Sequence, residues 1–224
     1  MGYYTKKILD KFAAAYSEAR KNIDNIHVTI SKANSKMGAV ASVSMLPFLT
    51  CPSRCGSTCG MKCYAAKLAN LRQVVLKSYA NNTAIAVMKP DMYWKEIDKA
   101  CSGIKYFRFH VSGDIINAQY LQHMVQIAKN HPGTEFLAFT KRYEIVNDYL
   151  NEHRLPTNLH ILFSGWTNLT PDNPHALPET NVIEHGKEPE EAWKICSGNC
   201  FNCAKAGTGC WTAQPGDVIA FHMH

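Results

Sequence analysis

Eight of the nine cysteines in this chain stand in two short runs. Cys51, Cys55, Cys59 and Cys63 lie in TCPSRCGSTCGMKCYA, and Cys196, Cys200, Cys203 and Cys210 in CSGNCFNCAKAGTGC. Thiols gathered this way bind metal ions or iron–sulfur clusters, whereas a cysteine that only fills a core needs no neighbours of its own kind. Four cysteines at four-residue intervals would line one helix face, but twelve helical residues span roughly 18 Å, too far for one cluster. The first run must therefore curl, and Pro52, Gly56 and Gly60 supply the bends. Such a loop suits a [4Fe–4S] cluster better than zinc. The second run suits both, because Cys200 and Cys203 have the two-residue gap of a zinc knuckle. Cys101 stands alone and reads as a small buried hydrophobe at a helix end.

The elements that would position these runs can be read from periodicity. Residues 6 to about 22 predict an amphipathic helix, with Ile8, Phe12, Ala15 and Tyr16 near helical spacing. MGAVASVSML, ending at Pro47, predicts a strand from Met37 to Leu46 that runs into the first cysteine loop. CYAAKLANLRQVVLKSYANNTAIAVM predicts one long helix, and residues 90–100 a second. KYFRFHVSG, TEFLAFT and NLHILFSGW then read as strands, alternating with helices at about 118–129 and in YEIVNDYLNEH. Weaker strands fall at NVIEHG and GDVIAFHMH, and residues 167–191, rich in Pro, Asn and Glu, predict a loop. Strands alternating with helices indicate parallel βαβ units, closed into a barrel or opened as a doubly wound sheet.

Length and composition set the frame. A chain of 224 residues, 46% hydrophobic and 19% charged, is expected to form one fold with appendages. The opening MGYYTKKILDKF lacks the apolar core of a signal peptide, and no apolar stretch is long enough for a bilayer. A soluble, cytoplasmic protein with no membrane partner is expected, and in a reducing compartment clustered cysteines serve metals or redox chemistry rather than structural disulfides. The net charge of +6 fits a scattering of surface lysines or an anionic partner.

The first run resembles the cysteine loop of the radical S-adenosylmethionine enzyme superfamily, which follows the first strand of a partial barrel as C-x3-C-x2-C with an aromatic residue beside the last cysteine. Here Cys55, Cys59 and Cys63 stand as C-x3-C-x3-C, with Tyr64 beside Cys63 and Cys51 upstream. Ser112, Gly113 and Asp114 in RFHVSGD are similar to the turn after the second barrel strand that holds the amino group of S-adenosylmethionine. Thr140, Lys141 and Arg142 in FLAFTKR, and Ser164 and Gly165 in LFSGW, resemble the ends of the third and fourth strands. More narrowly, the TCP…C…CYA and RxHxSGD motifs resemble a phage-associated cysteine-rich family, over roughly residues 35 to 224. That second resemblance implies no substrate.

The resemblance implies an α/β fold with a partial (β/α)6-type, TIM-like barrel of parallel strands. An N-terminal helical cap would occupy residues 1–36, the barrel core with the first cysteine cluster 37–166, and a loop, the second cluster and a terminal strand 167–224. It implies S-adenosylmethionine and one or two [4Fe–4S] clusters as cofactors, zinc being the alternative at the second site, and a 5′-deoxyadenosyl radical that takes hydrogen from a nucleic acid, peptide or metabolite. A reductase or a flavodoxin- or ferredoxin-type protein would supply electrons. The cofactor contacts implied are Tyr64, His110, Ser112, Gly113, Asp114, Thr140, Lys141, Arg142 and Ser164. Asp114 would accept from the ammonium, and Lys141 or Arg142 would meet a carboxylate.

Each of these residues also has a plainer role. Asp114 fits a turn after a strand, and Lys141 and Arg142 fit the solvated start of a helix. His110 should point to the opposite face of its strand from Phe109. His222 and His224 alternate on the terminal strand and share one face, as ligands or as a polar edge. Two whole-chain alternatives remain: a zinc-knuckle module that binds nucleic acid through its basic surface and aromatics Tyr64, Tyr106, Trp166 and Trp211, and a non-catalytic iron–sulfur electron carrier on a degenerate barrel.

Overall fold

In the computed structural model, residues 2, 4–34 and 36–223 are described. Thr5 caps the first helix, α1 (Lys6–Lys21), its hydroxyl accepting from Ile8 N at 3.4 Å. Ile8, Phe12 and Ala19 form the buried face of α1. A two-residue strand, β1 (Ile30–Ser31), follows and pairs antiparallel with β2 (Ala41–Val43). The strand expected over residues 37–46 is thus only three residues long. Gly38, at φ +65, turns the chain just before it, and Met45 and Leu46 beyond it give their N–H groups to Ser112 O and Thr83 Oγ1 rather than to a neighbouring strand.

The long helix expected after Cys63 is two helices, α2 (Tyr64–Leu71) and α3 (Gln73–Met88), broken at Arg72, whose φ −121 and ψ 103 are extended. No glycine or proline marks this break. It lets α2 lay its alanines, Ala65, Ala66 and Ala69, into the core while α3 packs Leu76, Ala80 and Ala84 with Phe12 of α1. The remaining elements are α4 (Pro90–Cys101), β3 (Tyr106–Phe109), α5 (Ala118–Asn130), β4 (Glu135–Thr140), α6 (Tyr143–Glu152), β5 (Leu159–Ser164), β6 (Glu179–Ile183), β7 (Lys194–Ile195), α7 (Cys200–Ala206) and β8 (Val218–His222).

The eight strands form one open sheet in the order β1-β2-β3-β4-β5-β6-β8-β7. Every pairing after β1–β2 is parallel. From β1 to β6 the order follows the chain without the reversal that defines a doubly wound sheet. The two faces of the sheet are covered differently. Phe107, Phe109, Phe136, Ala138, Ile161 and Phe163 pack against α4, α5 and α6 through Tyr93, Trp94, Leu121, Met124 and Val146. Tyr106, Leu137, Leu162 and Ile219, from the alternate positions, pack against Met37, Val40, Ala204 and Trp211. The second cysteine segment therefore covers the sheet face opposite helices α4–α6. Cys101 closes α4 fully buried, and burial pushes its thiol up to about 12. Among the described residues no helix is long and apolar enough to cross a membrane.

Candidate functional site

The carboxyl ends of β2, β3, β4 and β5 gather most of the residues singled out above. The first cysteine loop leaves β2 and curls through two 3-10 turns, Ser53–Cys55 and Cys59–Lys62. Gly60 permits the curl, since a Cβ there would lie 2.5 Å from the Cys55 carbonyl oxygen. The loop is pinned on two sides. Asp114 N donates to Thr50 Oγ1 at 3.2 Å, and Arg142 Nη2 to Thr50 O at 3.1 Å. Arg54 bridges to Glu144 Oε2 at 2.9 Å and lies over the Tyr143 ring.

Within the loop, the neighbouring Cys51 and Cys59 thiols, together with burial, raise the Cys55 thiol far above its ordinary range. The Cys59 thiol is lowered to about 6, by the hydrogen bond from Cys55 and by the nearby Lys141 ammonium, against burial. Cys63 caps α2, its sulfur accepting from Ala66 N at 3.4 Å, and burial pushes it up to about 12. The next side chain, Tyr64, donates from its hydroxyl to Val111 O and so ties α2 to the end of β3. Among the described residues no three Cys, His, Asp or Glu side chains are placed to hold a single metal ion.

The SGD turn packs directly on this loop. Gly113 has φ +85, and a Cβ there would lie 2.6 Å from Thr50 Oγ1. Asp114 is buried and already well occupied. Oδ1 accepts from Ile115 N at 2.8 Å and from Thr140 Oγ1 at 2.6 Å, and Oδ2 from Lys141 N at 2.9 Å. Burial raises its carboxyl above the usual range, opposed by these hydrogen bonds. Of the roughly four acceptor positions of a carboxylate, about one is left for an incoming group. Asp114 thus locks the turn after β3 to the end of β4.

Lys141 is buried rather than solvated: its ammonium donates to Ser164 Oγ at 2.6 Å and approaches Gly165 O, joining the ends of β4 and β5 beside Cys59. Thr140 Oγ1 accepts from Arg142 N at 2.9 Å. Ser112 Oγ and Arg142 Nε are buried without a hydrogen-bond partner, which leaves two polar atoms at the strand ends able to meet a ligand.

His110 departs from the expectation. It has φ +55, a left-handed conformation that ends the strand alternation. Its ring lies 5.9 Å from that of Phe109 and 5.3 Å from that of Tyr120, with Nε2 3.0 Å from the Tyr120 hydroxyl, so it joins the aromatic layer under α4 and α5 that Phe109 also enters. Burial lowers it to about 3, and Nδ1 has no partner.

The second cysteine segment is held by its backbone and by Trp211. Cys196 N donates to Ala220 O, Phe201 N to Met37 O and Trp211 Nε1 to Cys200 O, at 2.9, 2.9 and 3.0 Å. Asn199 caps α7, and Gly207 ends it in a left-handed turn at φ +62. Sequence reading missed this helix, although an Asn and a Gly bracket it at cap positions. Burial pushes Cys210 up to about 12, with the Arg108 guanidinium and the other three thiols of the run within electrostatic reach. Arg108, also missed, projects from β3 over the Phe139 ring at 4.4 Å and reaches Cys200 Sγ at 3.8 Å. Its signal is a lone cation between the phenylalanines of YFRF. His222 is exposed at the end of β8, and His224 lies outside the described residues.

Neither a curated protein nor a solved structure matches the chain. A family model described as Gene product 88 matches residues 18–205, beginning within α1 and stopping before Cys210 and β8, a span shifted toward the N-terminus from the 35–224 expected. The match covers most of the sequence, including the whole first cysteine loop, the SGD turn and three of the four cysteines of the second run, and this chain therefore belongs to the Gene product 88 family.

Proposed function

We propose that this chain is an iron–sulfur protein and, more narrowly, a radical S-adenosylmethionine enzyme built on a partial (β/α) barrel. One observation carries the reading: the cysteine loop, the Ser112–Asp114 turn, Thr140–Arg142 and Ser164 meet at the carboxyl ends of successive parallel strands, where (β/α) barrels assemble their sites. Sheet order that follows the chain, with α4–α6 on a single face, supports the barrel reading over a doubly wound one.

Cys55, Cys59 and Cys63, the three that match the superfamily's loop, would hold the cluster, with Tyr64 beside the third and Cys51 upstream. Bound there, a [4Fe–4S] cluster and S-adenosylmethionine supply the electron and the radical that removes a substrate hydrogen. The chain's own residues place those groups. Asp114 fixes the Thr140–Lys141 backbone, Lys141 joins the ends of β4 and β5 through Ser164 near Cys59, and Ser112 Oγ and Arg142 Nε offer unclaimed polar contacts to a bound amino acid moiety. The second run would hold an auxiliary cluster, or zinc, against the opposite face of the sheet from α4–α6.

Anaerobic purification followed by iron, sulfide and zinc analysis tests this. About eight irons with matching sulfide support two clusters, about four irons with zinc support a mixed protein, and zinc alone refutes the reading. Cys55→Ser, Cys59→Ser and Cys63→Ser should each lose one cluster's iron, while Cys51→Ser keeps it. Reduced protein given S-adenosylmethionine should release 5′-deoxyadenosine, and an iron-loaded protein that releases none refutes the radical step.

A further inference from the structure

From Asn25 to Pro90 the chain carries eight lysines and arginines and no aspartate or glutamate. This span contains the first cysteine loop, α2 and α3. Part of its outer surface is also apolar. Tyr64, Lys67, Leu68 and Leu71 recur at i, i+3, i+4 and i+7 and form the exposed face of α2. Leu68, Leu71 and Val74 are 42%, 67% and 83% exposed, and Lys67, Arg72 and Lys77 surround them with no ion pair among the described residues. The ammonium of Lys11 adds positive charge at the end of α2, donating to Asn70 O at 2.7 Å. Exposed aliphatic residues within a ring of one charge sign mark an interaction surface.

We infer that the α2 face docks a small acidic electron-transfer protein that reduces the centre held by the adjacent cysteine loop. This rests on the iron–sulfur reading above. Charge decides the occupant. A second copy would bring positive against positive, and a nucleic acid strand needs a stacking platform, whereas this face presents aliphatic side chains and a single aromatic, Tyr64, tethered to Val111 O. An apolar centre bordered by basic side chains suits a transient redox complex, which buries little area and is steered by charge. Position supplies the rest, because α2 begins at the residue after Cys63. One electron would leave a flavin hydroquinone, which becomes the semiquinone, and enter that centre.

The test uses the full chain with an acidic flavodoxin as probe. Binding is measured by calorimetry at low and at physiological ionic strength for the parent and for the triple variant Lys67→Glu, Arg72→Glu, Lys77→Glu. These residues are solvent-exposed, and circular dichroism confirms the fold. The parent should bind at low salt and weaken as salt rises, with affinity down at least about tenfold in the variant. Reduction of the iron-loaded protein by the flavodoxin hydroquinone should slow in parallel, while reduction by dithionite stays at the parent rate. Equal flavodoxin binding by parent and variant overturns the proposal, as does a single-stranded oligonucleotide that occupies the face where the flavodoxin does not. Iron that dithionite reduces, with no dependence on this face, overturns the docking alone. A protein without iron overturns both this proposal and the reading it rests on.

Discussion

Replacing Gly113 with alanine tests the join between the Ser112–Asp114 turn and the cysteine loop. Two costs add. The residue has φ +85, where an L side chain is strained by roughly 1–2 kcal/mol. The new Cβ would also sit 2.6 Å from Thr50 Oγ1 and 2.9 Å from Met45 Cβ, an overlap worth about 1–3 kcal/mol in a packed interior. Together they predict a loss of about 2–5 kcal/mol. Gly216 provides the control, since it has φ +84 and a methyl group added there would have nothing within 4 Å, so Gly216→Ala carries the strain alone, about 1–2 kcal/mol. The gain from a stiffer unfolded chain is common to both and cancels. Urea denaturation should show an unchanged slope in each case and a difference of about 1–3 kcal/mol between the two variants. Equal losses would refute the close approach, and with it the claim that this turn is seated on the cysteine loop.

Other expectations follow from single contacts. His110 stays neutral when folded, at about 3, whereas the unfolded chain takes up the proton near 6.5. The unfolded state thus binds more protons between those values, and stability is full above about pH 6.5 and falls as pH drops toward 3. Between pH 7.5 and 4.5 the loss from this group is about 3 kcal/mol, at roughly 1.4 kcal/mol per pH step below 6.5. His110→Asn, which tolerates the left-handed backbone, should remove that part of the pH slope in urea titrations, and an unchanged slope would count against a buried neutral ring. Trp211→Ala should cost about 3–5 kcal/mol by emptying the contact of the second cysteine segment with the sheet. In protein loaded with metal as proposed above, it should empty that segment while the first loop keeps its cluster, and loss from both at once would mean the two are not separately supported. Asp114→Ala strands the Ile115 N–H, the Thr140 hydroxyl and the Lys141 N–H, at about 1–3 kcal/mol for each buried group left unpaired. Asp114→Asn, which retains an acceptor oxygen, should recover part of that stability in the same melt.

The sequence alone settled which segments are helices and strands wherever periodicity was strong. α1, α4, α5 and α6 and strands β3, β4 and β5 fall within a few residues of their expected positions, because each carries its own apolar stripe or alternation and its own end signals. It also marked the residues that meet at the strand ends, since cysteine spacing and strand-end motifs are local in the chain. Tertiary structure decided the rest. Nothing at Arg72 breaks a helix by its own propensity, and the extended residue there is what the tertiary fold imposes as α2 and α3 both pack into one core with Phe12 and Leu46. His110 changed sides because a positive φ overrides strand alternation. Lys141, polar and near a helix start, reads as solvated until β5 brings Ser164 Oγ and Gly165 O within reach of its ammonium. Arg108 and Cys200 are 92 positions apart, and only the folding of the second cysteine segment over the sheet makes them neighbours. Contacts of that range depend on chain topology, to which a local pattern of residues is blind.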